Sequence, residues 1–133
     1  MHATVAVDGI ERTIEEHYQL SKRFGDAPPP RVWRDAKGKR PTHFEARGIK
    51  LPLRLLSAWY LVLWVKYLDQ HPELVRYAKA FDAFHDAFAR PGQNNQADAI
   101  CRYVKDGRTS ILRAPEVEEL FRAIAPARDR SEF

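Results

Sequence analysis

The sequence contains a single cysteine, Cys101, among its 133 residues. One thiol excludes an internal disulfide and any metal site built from several cysteines, and we expect a protein of the reducing cytoplasm. Long apolar runs are also missing, because Arg54 and Lys66 bracket only eleven residues, well short of the ~20 that crossing a bilayer needs. Residues 1–9 lack a basic region followed by an apolar run. We therefore expect no cleavable signal peptide and no membrane partner.

Internal repeats and low-complexity tracts are absent too, and what remains is the composition of a folded domain. Hydrophobic residues make up 44% of the chain, and seven Phe, five Tyr and three Trp supply enough apolar surface to offset the entropy of ordering it. The length fits one core. We expect a single domain over residues 1–126 and a flexible tail over residues 127–133.

Charge is concentrated in one segment. Residues 31–54 carry eight basic side chains against Asp35 and Glu45, whereas the whole chain has a net charge of only +4. The proline-rich start and the polar turns predict an irregular basic insert over residues 26–50. Such a segment is typical either of a solvated loop or of a surface for an anion, and Trp33, Phe44 and Arg47 could stack on a base and neutralise phosphates.

Local patterns predict an α+β fold that is mainly helical, with a short N-terminal strand region. Thr4–Val7 reads as a strand and Asp8-Gly9 as a turn or a helix start. Thr13 and Glu16 have the spacing of a capping box, which predicts a helix running to about Phe24 with Gly25 as its left-handed cap. Further helices are expected over residues 52–69, buried almost all round, from residue 72 onward, and over residues 97–105 and 115–125.

The first helix carries the strongest candidate for chemistry. Glu15, Gln19 and Lys22 are spaced i, i+4 and i+7, so a continuous helix would place an acid, an amide and an amine on one face, with Tyr18 at its edge. Such a set could act on a sugar. The same spacing is also common on ordinary solvated helix faces.

Two other constellations are weaker. Asp82, His85 and Asp86 could in principle ligate a metal, but three ligands within one helical turn and no second cluster favour a polar face, so we predict no metal and no cofactor. Asn95 is a favourable N-cap with Asp98 following. The Asn94–Asn95 loop could alternatively receive an anion through free backbone amides.

Three segments together resemble the NADAR superfamily (YbiA-like proteins). They are Asp8-Gly9 followed by Thr13-Ile14-Glu15-Glu16-His17-Tyr18-Gln19-Leu20-Ser21-Lys22, then Asp69-Gln70-His71-Pro72-Glu73-Leu74, and later Gly92-Gln93-Asn94-Asn95. Their order and approximate spacing are similar across residues 5–105. Glu16 stands where that family carries a histidine, so the resemblance is to a divergent member.

The resemblance implies an N-glycosidase, a hydrolase acting on a nucleotide, ADP-ribose or an ADP-ribosylated base. In that reading Glu15 is the acid/base and Lys22 the nucleophile that forms an imine with the opened sugar. Substrate-binding roles fall to Tyr18, Gln19, Trp33, Arg47, Asn94 and Asn95. Two alternatives stay open, namely a non-catalytic nucleotide or nucleic-acid binder using residues 31–54, and a small protein-interaction module or inhibitor with an apolar patch around Trp33, Trp59 or Trp64.

Overall fold

The computed structural model describes residues 3–79 and 96–124, and its architecture is α+β with helix predominating, as the sequence predicts. In chain order the elements are β1 Thr4–Val7, β2 Ile10–Thr13, α1 Ile14–Ser21, β3 Lys22–Arg23, a 3-10 turn Trp33–Asp35, β4 His43–Ala46, β5 Ile49–Pro52, a 3-10 turn Leu53–Leu55, α2 Leu56–Asp69, α3 Pro72–Lys79, α4 Gln96–Asp106, α5 Arg108–Leu112 and α6 Pro115–Ile124. Strands β1 and β2 form one antiparallel sheet, and β3, β4 and β5 form a second in that order.

Helix α2 is the centre of the core. Eleven of its fourteen residues are buried, among them Leu63 and Leu68, and β1, α1, α3, α4, α5 and α6 all contact it. Burying one large apolar side chain contributes roughly 1.5–3 kcal/mol, so this helix is the main source of hydrophobic stabilisation. The predicted helix buried almost all round is confirmed. Its first turn differs, because Leu53–Leu55 is a 3-10 turn and Pro52 ends β5.

Two hairpins turn through the same pair of backbone conformations. Asp8 and Gly9 join β1 to β2, and Arg47 and Gly48 join β4 to β5, all four with positive φ (51°, 80°, 52° and 78°). Positive φ at both central residues is the two-residue turn whose twist matches that of paired strands. Asp-Gly signals the first turn in the sequence. Arginine rarely takes positive φ, so the second turn carries no such signal.

Helix α1 begins as predicted. The Thr13 hydroxyl accepts a hydrogen bond from the Glu16 amide, and the Glu16 carboxylate accepts one from the Thr13 amide, each at 3.0 Å. The capping box therefore satisfies two amides that the first turn of a helix leaves without intrahelical partners.

The end of α1 corrects the predicted helix to Phe24. The helix stops at Ser21, and Lys22 is extended (φ −65°, ψ 143°) because Lys22 and Arg23 pair with Phe44 and His43 of β4. Within the last turn the Ser21 hydroxyl donates to the Tyr18 carbonyl at 2.6 Å. Strand pairing thus replaces the final helical turn. Lys22 consequently lies beyond the helix, rather than at the seventh position of a helical face.

The predicted irregular insert over residues 26–50 is irregular only in part. Strand β4 and the start of β5 occupy its second half, where the aromatic and basic residues had obscured a hairpin. The remaining loop closes on itself, because the Gly25 amide donates to the Thr42 hydroxyl at 2.8 Å and the Thr42 amide donates to the Arg23 carbonyl at 2.9 Å. Inside it, the 3-10 turn Trp33–Asp35 packs against α1.

The C-terminal helices complete the core. Val117, Leu120 and Ile124 of α6 are buried as the helical spacing predicts, and Gly107 has φ 86° at the break between α4 and α5. Within the described part of the chain, none of the helices combines the length and apolar character that crossing a membrane needs. The predicted helix from residue 72 is confirmed over Pro72–Lys79, and residues 80–95 and the predicted tail over residues 127–133 lie outside the described residues.

Candidate active site at the end of the first helix

Glu15 and Gln19 of α1 make the contact that their i, i+4 spacing predicts. The Gln19 amide nitrogen donates to Oε1 of Glu15 at 3.0 Å. Gln19 is only 5% exposed, and its carbonyl oxygen has no hydrogen-bond partner among the described residues. A buried acceptor without a donor is unfavourable. It is the kind of atom that a ligand hydroxyl or N–H could satisfy.

Lys22 is buried although it is a lysine. Only 6% of the residue is exposed, and in residues 3–79 and 96–124 no carboxylate lies within ion-pair distance of its amine. The amine donates one long hydrogen bond, at 3.5 Å, to the Lys39 carbonyl. It also lies 5.3 Å from the centre of the Tyr18 ring, where a cation is attracted to the aromatic face. These contacts are weak for a buried charge.

Burial lowers the pKa of the Lys22 amine from its ordinary value of 10.5, and the negative charge of Glu15 opposes this shift. Desolvation is the larger influence because the charged ammonium loses water and gains no direct ion pair from residues 3–79 and 96–124. A lysine whose amine deprotonates more easily is a better nucleophile near neutral pH. Perturbed ionisable groups of this kind are more frequent at functional sites than elsewhere.

The surroundings fix this group of side chains from two sides. The Tyr18 ring meets the Tyr60 ring of α2 edge to face, with 4.9 Å between ring centres. On the other side, the Lys39 carbonyl brings the loop between Gly25 and Thr42, the basic loop, to the amine of Lys22. The structure therefore brings Glu15, Tyr18, Gln19 and Lys22 together, although Lys22 reaches them from a strand.

The other predicted binding residues are distributed differently. Trp33 belongs to the 3-10 turn packed against α1, with the Arg34 and Lys37 cations 5.2 and 5.1 Å from its ring. Arg47 instead pairs with Asp8 at 3.0 Å and joins the two hairpin turns. The predictions for Asn94 and Asn95, and for a cluster of Asp82, His85 and Asp86, lie outside the described residues.

Burial corrects three aromatic predictions. Phe44 has no exposed surface, so it packs in the core and cannot stack on a base. Trp59 and Trp64 are 2% and 3% exposed, so neither supplies the surface patch of an interaction module. Among the described residues, no group of three His, Cys, Asp or Glu side chains could hold a metal ion.

Sequence reasoning missed a concavity of about 200 Å³ between α2, α5 and α6, away from the Glu15–Lys22 group. Its apolar wall includes Val62, Val65 and Leu112, and its rim carries charged side chains. Asp69 on that rim accepts hydrogen bonds from the Tyr103 hydroxyl and from Arg108, both at 2.7 Å. These residues are far apart in the sequence and share no spacing pattern. No local signal could have found them.

No family model matches the chain, and neither a curated protein nor a solved structure matches it.

Proposed function

We propose that the protein is an N-glycosidase of the kind its NADAR-like segments imply, acting on a nucleotide, ADP-ribose or an ADP-ribosylated base. The observation that carries this proposal is the Lys22 amine, which is buried beside Glu15 and has no ion-pair partner among the described residues. An amine held in this way is suited to attack an electrophilic carbon.

The proposed chemistry uses Lys22 as the nucleophile and Glu15 as the stabilising carboxylate and acid/base. The Lys22 amine attacks C1 of the sugar, the C1–N bond breaks and the base departs. Glu15 stabilises the positive charge that develops on the sugar and exchanges protons with the reacting groups. Opening of the sugar gives an imine with Lys22, which water then hydrolyses to free the sugar and regenerate the amine.

Gln19 and Tyr18 support this pair. The Gln19 amide holds one oxygen of Glu15, and its own buried carbonyl is available for a sugar hydroxyl. In this proposal Trp33 takes the base and the exposed cations of the loop take the phosphates. Arg47 fits this role less well, because its guanidinium is held by Asp8 at the hairpin turns.

The test is base release from purine and pyrimidine nucleotides, ADP-ribose and ADP-ribosylguanine, followed by chromatography. We expect Lys22→Ala to lower turnover at least about a thousandfold and Glu15→Gln about a hundredfold or more. Lys50→Ala is the matched control, since Lys50 is an exposed lysine of β5. Wild-type turnover should rise with pH and level off below pH 10.5, because the pKa of Lys22 is lowered. Full turnover in a folded Lys22→Ala protein would reject the imine route.

One observation favours a second function, the binding of a nucleotide or nucleic acid without catalysis. Five cations of the loop are exposed and have no carboxylate partner among the described residues (Arg31, Arg34, Lys37, Lys39 and Arg40). Binding through them should weaken steeply with salt and survive Lys22→Ala. An affinity that does not change with salt would argue against this function.

A further inference from the structure

The basic loop closes directly onto the candidate nucleophile. The Gly25–Thr42 hydrogen bond brings the two ends of the loop together beside β3, which begins with Lys22. Near the end of the loop, the Lys39 carbonyl accepts from the Lys22 amine. The exposed side chains of Lys39 and Arg40 therefore branch from backbone that lies next to the Lys22 amine. A ligand with phosphates on both sides of one sugar would fit this arrangement better than an isolated sugar.

An imine at C1 can also form without removal of a base. An abasic deoxyribose in DNA exposes an aldehyde at C1 when its ring opens, and it has no base for a protein to recognise. Its flanking phosphates can be neutralised by the exposed cations of the loop. The abasic deoxyribose lacks the 2-hydroxyl. C2 therefore carries two hydrogens, and a neighbouring carboxylate can remove one of them as a proton.

We infer that the Lys22–Glu15 site also cleaves DNA strands at abasic deoxyribose, by imine formation at Lys22 followed by elimination at the sugar. The inference deepens the proposed function and rests on the same imine chemistry. Three observations carry it. The buried Lys22 amine of β3 donates to the Lys39 carbonyl of the closed loop, that loop carries exposed cations, and Gln19 holds the carboxylate of Glu15 on the preceding helix.

The reaction balances without an oxidant or a reductant. The Lys22 amine adds to the C1 aldehyde and one water leaves, giving a protonated imine. Glu15 takes a proton from C2, the electron pair forms the C2–C3 double bond, and the C3–O bond breaks. The downstream strand departs with a 5′-phosphate. One water then hydrolyses the imine and regenerates the amine, and the proton on Glu15 passes to solvent.

Glu15 is suited to the elimination step. One of its oxygens, Oε1, is held by Gln19, and among the described residues nothing donates to the other, Oε2. A carboxylate fixed at one oxygen and open at the other can accept a proton from a bound sugar. Glu15→Gln should therefore slow strand cleavage more than it slows formation of the imine.

The experiment uses a labelled single-stranded DNA oligonucleotide with one abasic deoxyribose, with and without sodium borohydride, which reduces an imine to a stable amine. We expect the full chain to cut the strand and, with borohydride, to become covalently attached at Lys22, as located by peptide mass spectrometry. Lys22→Arg and Lys22→Met should both lower cleavage and trapping by at least about a hundredfold. Circular dichroism establishes that each variant is folded.

The decisive control addresses exposed amines, since any exposed lysine can react slowly with an aldehyde. Lys105→Arg removes the amine of an exposed lysine in the last turn of α4, outside the loop and the candidate site, and keeps the positive charge. This variant should cleave and trap as the wild type does. Loss of activity in folded Lys105→Arg, or persistence of activity in folded Lys22→Arg, would overturn the assignment to Lys22.

The two proposals fail separately. If bases are released from nucleotides but the abasic strand is neither cut nor trapped, the strand-cleavage inference is wrong and the N-glycosidase proposal stands. If the strand is cut and trapped at Lys22 but no base is released from any substrate, the N-glycosidase proposal fails. Absence of both activities rejects both.

Discussion

Two buried basic side chains of the first helix region, His17 and Lys22, differ in how their burial is compensated. The His17 Nε2 atom lies 2.8 Å from the Val5 carbonyl, so a neutral ring that donates from this nitrogen satisfies both groups. Among the described residues, Lys22 makes one long hydrogen bond to a carbonyl and one contact with an aromatic face. The hydrogen bond of His17 thus accounts for its burial, as a structural contact between α1 and β1. The contacts of Lys22 do not compensate for its burial in the same way, and we therefore propose Lys22 as the reactive group.

His17 should make stability depend on pH. Burial lowers its pKa from the ordinary value of 6.5, so between that lowered value and 6.5 the unfolded chain binds more protons than the folded one. Its contribution is therefore complete above pH 6.5 and is lost as the pH falls toward the lowered pKa. The free energy of unfolding in urea should fall with pH by up to ~1.4 kcal/mol per unit from this residue.

His17→Gln is the matched variant for this prediction, because its amide can donate to the Val5 carbonyl and does not titrate. The difference in unfolding free energy between wild type and variant should shrink or reverse as the pH falls below 6.5. Parallel curves for the two proteins over this range would contradict the prediction.

At the scale of the element, α1 is defined by different forces at its two ends. Its start is local, since Thr13 and Glu16 satisfy each other's amides. Its end is imposed by a distant strand, since Lys22 and Arg23 pair with β4. The Arg23 guanidinium then donates to the Leu20 and Lys22 carbonyls at 2.7 and 2.9 Å. A basic residue at the helix end therefore caps carbonyls even though the helix stops earlier than its pattern predicts.

Thr13→Ala should destabilise the protein by about 1 kcal/mol, because the Glu16 amide loses its acceptor at a half-buried helix start. Chemical denaturation measures this loss. Thr109→Ala is the control, since Thr109 is exposed within α5, and its effect should stay within about 0.5 kcal/mol. Equal effects of the two substitutions would show that the capping box contributes nothing.

Across the whole molecule, α2 organises the packing and the two hairpins are tied together at its side. The Asp8–Arg47 ion pair joins the turns, and the Lys66 amine of α2 donates to the Ala6 carbonyl of β1. An exposed ion pair contributes roughly 0–1 kcal/mol, far less than the apolar contacts of α2. Hydrophobic burial is thus the main stabilising contribution, and the surface contacts add to it by joining the hairpin turns to each other and β1 to α2.

Leu63→Ala should cost about 2–5 kcal/mol of unfolding free energy, because Leu63 is fully buried and its removal leaves a cavity. Leu53→Ala is the comparison, since Leu53 is only partly buried in the 3-10 turn before α2. Its loss should be clearly smaller in the same denaturation experiment. Similar losses at both positions would contradict the central role of α2.

The sequence determined the features that depend on neighbours along the chain. Thr13 and Glu16 predict a helix start, Asp8-Gly9 predicts a turn, and the apolar run before Lys66 predicts a buried helix. These predictions are possible because capping, turn conformation and helical periodicity each depend on a few neighbouring residues. The i, i+4 contact between Glu15 and Gln19 is of the same kind. These local rules sufficed to find the acid and the amide of the candidate site.

Only the tertiary structure decided where Lys22 lies and what surrounds it. The pairing of β3 with β4 ends α1 early, and the loop closed by Gly25 and Thr42 brings the Lys39 carbonyl to the amine. Both contacts join residues about twenty positions apart, and no short-range pattern encodes them. Burial of the amine, and with it the lowered pKa, is likewise a property of the packed molecule, because desolvation depends on every element that excludes water from that point.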